Sequence, residues 1–330
     1  MGECIIKKMR QTPLRRNPWR RKVLKMVKQK TKSFRSVKSL IFYVGLMIWP
    51  VAQFLVFYVG VNANSFFLAF KDISLDGSFT WTLKNFGDWF SKGSALNDSL
   101  VSALGVSLKT YIISLVTSVP LGLLFSYYIF KKFPGAMVFR FMLFMPSIIA
   151  SIVLVTIFSY WSDYVLPGFV KIFGAEIKES IINTPGVRYG TILFYSIFVG
   201  FGTTVLLYSN KMSGISPEII EAAELDGAGP FKEFIYIVFP QAFSTVSVFL
   251  VTGITSIFTN EINNFSFFQY NMNKDTTTIG FLFYYKLQNA GKNSWLYPPV
   301  AALGLMCTAV TIPLTFFVKR LLNKIGPSED

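Results

Sequence analysis

Histidine is absent from all 330 residues, and cysteine occurs only at Cys4 and Cys307. Without histidine there is no Ser-His-Asp triad, no Cys-His pair, no His-ligated zinc and no haem on a His ligand. Two cysteines are too few for a disulfide framework or a Cys-ligated cluster, so both are expected to be bystander thiols. No metal, no cofactor and no catalytic residue is expected. Charge is scarce too: 15% of residues are Asp, Glu, Lys or Arg, against about 25% in an ordinary soluble domain. No Gly-x4-Gly-Lys-Ser/Thr sequence occurs, so the chain has no P-loop with which to cradle ATP phosphates, and any energy must come from another polypeptide. There is no internal repeat and no low-complexity tract. This is not the profile of a soluble enzyme.

What is present is apolar: 52% of the residues are hydrophobic, with 35 Phe, 15 Tyr and 6 Trp. The net charge of +15 first invites a nucleic-acid reading. Its distribution points elsewhere, because residues 1–40 carry 14 Lys and Arg against one acid, Glu3, and the remaining 290 carry 18 bases against 16 acids. A basic arm on a nearly neutral apolar chain suits a membrane surface and no nucleic acid. The stretch Leu14–Lys30 fits either a short helix on the anionic inner leaflet or a disordered arm that serves only as a topology signal.

A hydrocarbon core about 30 Å thick needs about 20 apolar helical residues. Six runs qualify: Ser39–Val61, Val101–Phe130, Met137–Tyr160, Arg188–Tyr208, Gln241–Thr259 and Pro298–Val318. The expected fold is all-α and polytopic, with a basic arm over 1–38, a transmembrane domain over 39–325 and a tail over 326–330. The first run is too long, at about 23 residues, for a signal-peptide core, and reads as an uncleaved anchor. Lys and Arg concentrate in 1–38, in the 131–136 link and in the tail, which places both termini in the cytoplasm.

Segment 209–240 is the exception among the inside segments, because it is long and not basic: Lys211–Pro240 holds two bases and five acids. Ser216 suits an N-cap, Pro217 the first helical position, and Glu218 and Glu221 the positive end of the helix dipole. Gly227 and Gly229 allow a turn, after which Pro230 and Phe231 open a second helix. The pattern predicts a helix-turn-helix between the fourth and fifth spans, with small residues and acids offered to a partner.

Glu221-Ala222-Ala223, Asp226-Gly227-Ala228, Phe234, Ile237 and Pro240 together resemble the EAA loop of binding-protein-dependent ABC importer permeases, with every position of EAA-x2-DGA-x5-F-x2-I-x2-P met. That resemblance implies that Glu221, Ala222, Ala223, Asp226, Gly227, Ala228 and Pro240 belong to a coupling element that docks on a separate ATPase subunit. Over roughly residues 40–325 the chain is similar to the carbohydrate branch of that family, the maltose-type permeases, through its six spans, Phe70-Lys71-Asp72, Asn85-Phe86 and Asp226–Phe231. It departs from many relatives where they carry Gly-Gly-Pro near the end of the fifth span and it carries Asn271–Thr278. The resemblance implies a second, homologous permease, two ABC ATPase subunits and an extracytoplasmic solute-binding protein as partners in the lipid bilayer of a bacterial cytoplasmic membrane.

A soluble cargo needs polar groups on an interior path. The fifth span supplies Thr252, Ser256, Thr259, Asn260 and Asn263, the fourth Ser196, Gly200, Thr203 and Thr204, and the third Ser147 and Ser151. Ser196, Gly200, Ser256 and Asn260 are the leading candidates, with Tyr160, Phe201 and Phe258 as rings for sugar faces. The same residue types also mark plain helix-packing seams, and that alternative stays open. Hydroxyls and amides suit an uncharged polyol. The rival readings are an importer of another polar solute such as a glycerol-phosphate or a polyamine, an ATP-independent secondary transporter, and a membrane scaffold. Acids or paired bases at mid-span, which the secondary transporter requires, are not evident.

Overall fold

A computed structural model describes residues 37–74, 76–172, 180–291 and 294–326. The basic arm, the Leu14–Lys30 stretch, Cys4 and the last four residues of the tail therefore lie outside the described residues. The chain divides after Ser65 into two compact units.

The first unit is a single apolar rod. Helix α1 (Val37–Gln53) runs through a π-helical stretch (Phe54–Gly60) into α2 (Val61–Leu68), whose last turn enters the second unit. The rod buries none of its apolar window, and Trp49 and Phe57 are among its exposed side chains. Such a surface is stable only in an apolar solvent.

The second unit opens with a hairpin of β1 (Lys71–Ile73) and β2 (Phe79–Trp81), antiparallel with Lys71 opposite Trp81, and a short helix α3 (Lys84–Gly87). Buried Asn85 donates to the carbonyls of Ala69 and Lys71. Helix α4 (Ala95–Phe130) follows, with Ser94 capping its N-terminus by accepting from the Asn97 amide and Asp98 in its first turn. Its 36 residues extend about 54 Å at 1.5 Å each, well beyond a hydrocarbon core.

Next come α5 (Ala136–Ile148), α6 (Ser151–Tyr160), a π turn (Trp161–Val165) and α7 (Leu166–Ile172). The expected third span, Met137–Tyr160, is thus broken: the long apolar helix is Ser151–Ile172, and α5 is a shorter separate piece. The cause is local. Pro146 has no N–H for the carbonyl four residues back, Ser147 Oγ takes the Phe144 carbonyl at 2.7 Å, and Ile149 and Ala150 turn extended.

Helix α8 (Arg188–Met212) packs along α4 and α5. At Gly202 a side chain would fall on the Leu143 backbone carbonyl, so the α5–α8 contact depends on hydrogen at that position. After the 213–238 loop, with α9 (Pro217–Leu225), α10 (Pro230–Glu233) and a π turn (Phe234–Val238), α11 (Phe239–Thr259) packs against α4 and against α14 (Tyr297–Ile325). Two short helices, α12 (Asn264–Phe268) and α13 (Ile279–Ala290), cover the far end of the bundle. Six helices among the described residues are long and apolar enough to cross a membrane. Buried side chains gather at both ends, Leu123, Tyr208 and Val238 near the 213–238 loop and Trp89, Ile279 and Leu303 opposite it, while much of the flank is exposed and apolar. The protein is a multi-pass membrane protein.

Candidate functional site

The 213–238 loop is built as its residues require. Ser216 stands at the N-cap of α9 with Pro217 in the first turn, and its hydroxyl donates to the Glu218 carboxylate. At the other end the Gly227 amide bonds the Glu224 carbonyl at 3.1 Å and the Ala228 amide bonds the Ala223 carbonyl at 2.9 Å. That crossed pair is a Schellman cap, which needs a left-handed residue at Gly227, and φ there is +75°. No atom lies near its missing side chain, so glycine is required by conformation and not by space.

The loop has an inner and an outer face. Ala223 is buried, whereas Glu221, Ala222, Asp226 and Gly227 are exposed and Ala228 and Pro240 are half-buried. Leu225 is 89% exposed and Phe231 74% exposed, so the turn presents two large apolar side chains beside its acids.

On the inner face lies a cluster that the sequence reading missed. Glu233, in α10, is only 1% exposed. Its carboxylate accepts from Lys131 Nζ at 3.1 Å and from the Tyr127 hydroxyl at 3.1 Å. The same hydroxyl lies 3.1 Å from the Pro230 carbonyl, and Lys131 Nζ also reaches Glu224 at 2.9 Å. Burial works against the Lys131 ammonium, but the two carboxylates outweigh it and raise its pKa above the ordinary lysine value. Lys131 was legible as a base in a short link. Glu233 carried no mark in the sequence that would separate it from the exposed acids of the same loop.

Within the bundle a cavity of about 140 Å³ opens between α4, α8 and α11. Ser256, Asn260 and Thr204 line it. Further hydroxyls come from Thr278 and from Ser107, Thr110, Ser114 and Ser118 of α4, the last four a stripe at three- and four-residue steps that the sequence reading did not single out. The Tyr208 hydroxyl at its wall has no hydrogen-bond partner among the described residues. No charged side chain lines the cavity.

Ser196 and Gly200 do not line it. Ser196 instead accepts from Asn263 Nδ2 at 3.1 Å, and Ser151 donates to Asn263 Oδ1 at 3.1 Å, which ties α6, α8 and the turn after α11 together. Gly200 is exposed. The rings expected along the path are also elsewhere: Phe201 packs on Phe125, Tyr160 stacks on Tyr164 and Phe258 joins an apolar core, whereas Tyr111, Tyr208 and Phe249 are the rings at the cavity. Packing decides which face of each helix turns inward, and composition alone does not report it. Lys109 is exposed, and its ammonium sits 4.5 Å from the Tyr189 ring centre.

At the end of the bundle opposite the 213–238 loop, Arg188 pairs with Asp275 at 3.0 Å. Thr276, Thr277 and Thr278 are buried, and Thr278 caps α13. Within the atypical 271–278 segment the three threonines are therefore packed, whereas Asn271 and Lys274 are exposed.

Residues 118–328 match the family model described as binding-protein-dependent transport system inner membrane component. Among curated proteins, the multiple sugar-binding transport system permease protein MsmF of Streptococcus mutans is 24% identical over 56% of this chain and 64% of its own length. The polygalacturonan/rhamnogalacturonan transport system permease protein YteP of Bacillus subtilis is 24% identical over 86% of this chain and 88% of its own. The maltose/maltodextrin permease MalF of Yersinia pestis is 23% identical over 72% of this chain, and the match spans 44% of that longer protein. Among solved structures, a chain of a bacterial ABC transporter involved in import of the acidic polysaccharide alginate superposes with a TM-score of 0.73 at 17% identity, covering 90% of this chain and 99% of that one. This last likeness is one of fold.

Proposed function

The chain belongs to the binding-protein-dependent transport system inner membrane components, and on that premise we propose that it is the permease subunit of an ATP-driven sugar importer. The observation that carries this reading is the 213–238 loop. Its Schellman-capped helix packs one face on the bundle and exposes Glu221, Ala222, Leu225 and Phe231 on the other. Large exposed apolar side chains in an acidic loop suit a groove on a partner protein, and in this reading the partner is a separate ABC ATPase. The basic arm holds the N-terminus in the cytoplasm, and the loop lies on that side of a bacterial cell membrane.

One such bundle supplies half of a translocation path. A second, homologous permease, two ATPase subunits and an extracytoplasmic binding protein complete the importer. ATP-driven closure of the ATPases draws the two loops together, the bundle rocks outward, and the binding protein releases its sugar into the path; hydrolysis returns the inward state. The cavity supports a carbohydrate cargo, since hydroxyls and an amide line it and no charge does. The names of the sugar permeases it resembles support the same cargo. This chain catalyses no reaction and needs no cofactor in this role.

The test is reconstitution of the chain with its co-purifying ATPase and second permease, followed by addition of binding protein loaded with candidate sugars. ATP hydrolysis is expected to rise with one ligand class and to lose that response in Gly227→Pro. If no ATPase co-purifies and uptake survives Gly227→Pro, the reading fails.

A further inference from the structure

The 213–238 loop is joined covalently to α8 and α11 only, yet its buried carboxylate belongs to neither helix's contacts. Glu233 is met by Tyr127, in the last turn of α4, and by Lys131, the residue that ends it. Lys131 simultaneously holds Glu224, so a single ammonium bridges α9 and α10 across the Gly227 turn. The Phe234 ring, 5.2 Å from the Tyr127 ring, closes the contact from the apolar side.

Two consequences follow from electrostatics. A carboxylate out of water is held tightly by its partners, because separation leaves an unpaired charge in a medium of low dielectric. The two halves of the loop, tied to one ammonium, also resist opening at the glycine turn, so a push on α9 moves α9 and α10 together. The far end of that linkage is α4, a helix that is unbroken from Ala95 to Phe130. It carries Ser107, Thr110, Ser114 and Ser118 on the cavity wall; Ser118 lies nine residues before Tyr127, about 14 Å along the helix.

We propose that Lys131, Tyr127 and Glu233 form a clamp that passes displacement of the 213–238 loop into α4 and so to the wall of the polar cavity. The three are positioning residues, and the inference rests on the reading of the loop as the ATPase-docking element. It adds a route that does not run through the helices continuous with the loop. Neither Lys131 nor Tyr127 is part of the loop motif, and Glu233 falls at one of its unspecified positions.

The experiment uses the complete importer, with Cys4 and Cys307 replaced by serine and Ser114→Cys as a reporter. The probe is a membrane-impermeant methanethiosulfonate reagent, and the readout is its labelling rate at position 114 without nucleotide and after trapping with ATP and vanadate. In the parent the rate is expected to change about tenfold between the two states. In Lys131→Met and Glu233→Gln the ATPase is expected to remain bound and ATP hydrolysis to stay within about threefold of the parent, while the change in labelling falls below about twofold. Lys131→Arg, which keeps the charge, retains most of the response. A role limited to folding predicts a different pattern: less complex overall, with the full labelling change in whatever complex assembles. That outcome overturns the proposal. Should Lys131→Met fail to accumulate, Tyr127→Phe decides, because it keeps both charges and removes one hydrogen bond; an undiminished response there also overturns the clamp. If the parent itself retains no ATPase, the docking reading falls, which is a separate and recognisable failure.

Discussion

Glu233 and Lys131 are not equivalent partners, and their difference sets what substitutions do to stability. Lys131→Met leaves a carboxylate that is 1% exposed with only the Tyr127 hydroxyl for company, and breaking a buried pair in this way costs about 3–5 kcal/mol. Glu233→Gln keeps a hydrogen-bonding group in place and leaves Lys131 its second carboxylate, Glu224, so about 1–2 kcal/mol is expected. Thermal unfolding of the detergent-solubilised protein should rank the variants in that order; a reversed order would place Glu233 in water. The same pair sets a pH window. The Lys131 pKa is raised, so the stabilisation it brings is complete below the ordinary lysine value of about 10.5 and is lost as pH climbs through the raised one. The difference in melting temperature between the parent and Lys131→Met should therefore be flat from neutral pH to about pH 10 and shrink above it. A difference that disappears near pH 8 would contradict the ion pair.

Helix ends and helix contacts depend on two glycines for different reasons. At Gly227 the left-handed backbone is the requirement, so Gly227→Ala is expected to cost about 1–2 kcal/mol even though its methyl meets nothing. Gly229, with φ −69°, should accept alanine almost without cost, and hydrogen exchange across 223–234 distinguishes the two. At Gly202 the backbone is ordinary and the space is absent, because a methyl would collide with the Leu143 carbonyl. Gly202→Ala must push α5 from α8, an overpacking cost of about 1–3 kcal/mol. Gly200→Ala, facing open space, should leave the melting temperature unchanged. The element scale is also where local sequence signals were read well or badly. Ser216, Pro217 and Gly227 placed α9 because capping involves residues next to each other. Pro146 was visible as well, but a proline inside a span is tolerated in some contexts and accompanies a break in others, as Pro120 and Pro313 inside unbroken helices illustrate.

At the scale of the whole molecule the proposed docking of the exposed turn on an ATPase can be tested through assembly. Leu225→Asp and Phe231→Asp remove apolar surface that no described residue covers, so the fold should be unaffected while ATPase co-purification falls about tenfold or more, the loss expected for a buried interface anchor. Unchanged co-purification in the double variant would move the docking surface elsewhere. The polar cavity belongs to this scale too. Ser256 and Asn260 were readable on one face of the fifth span, yet Ser196, equally polar and equally placed in sequence, turns to Asn263 and serves packing. Periodicity reports that a face exists. Which faces of three helices meet depends on how α4, α8 and α11 cross.

Much was decided by the sequence alone. The missing histidines, the six apolar runs, the basic arm and the capped loop with its Glu-Ala-Ala and Asp-Gly-Ala follow from composition and from neighbours a few residues apart, because partition into a bilayer and helix capping are local matters of hydration and backbone hydrogen bonding. The tertiary structure alone decided that Lys131 meets Glu224 and Glu233, 93 and 102 residues away, and that hydroxyls from α4 complete the cavity. Those outcomes depend on which side chains are shut away from water together, and no charge in a sequence carries a mark of the partner that burial will assign to it.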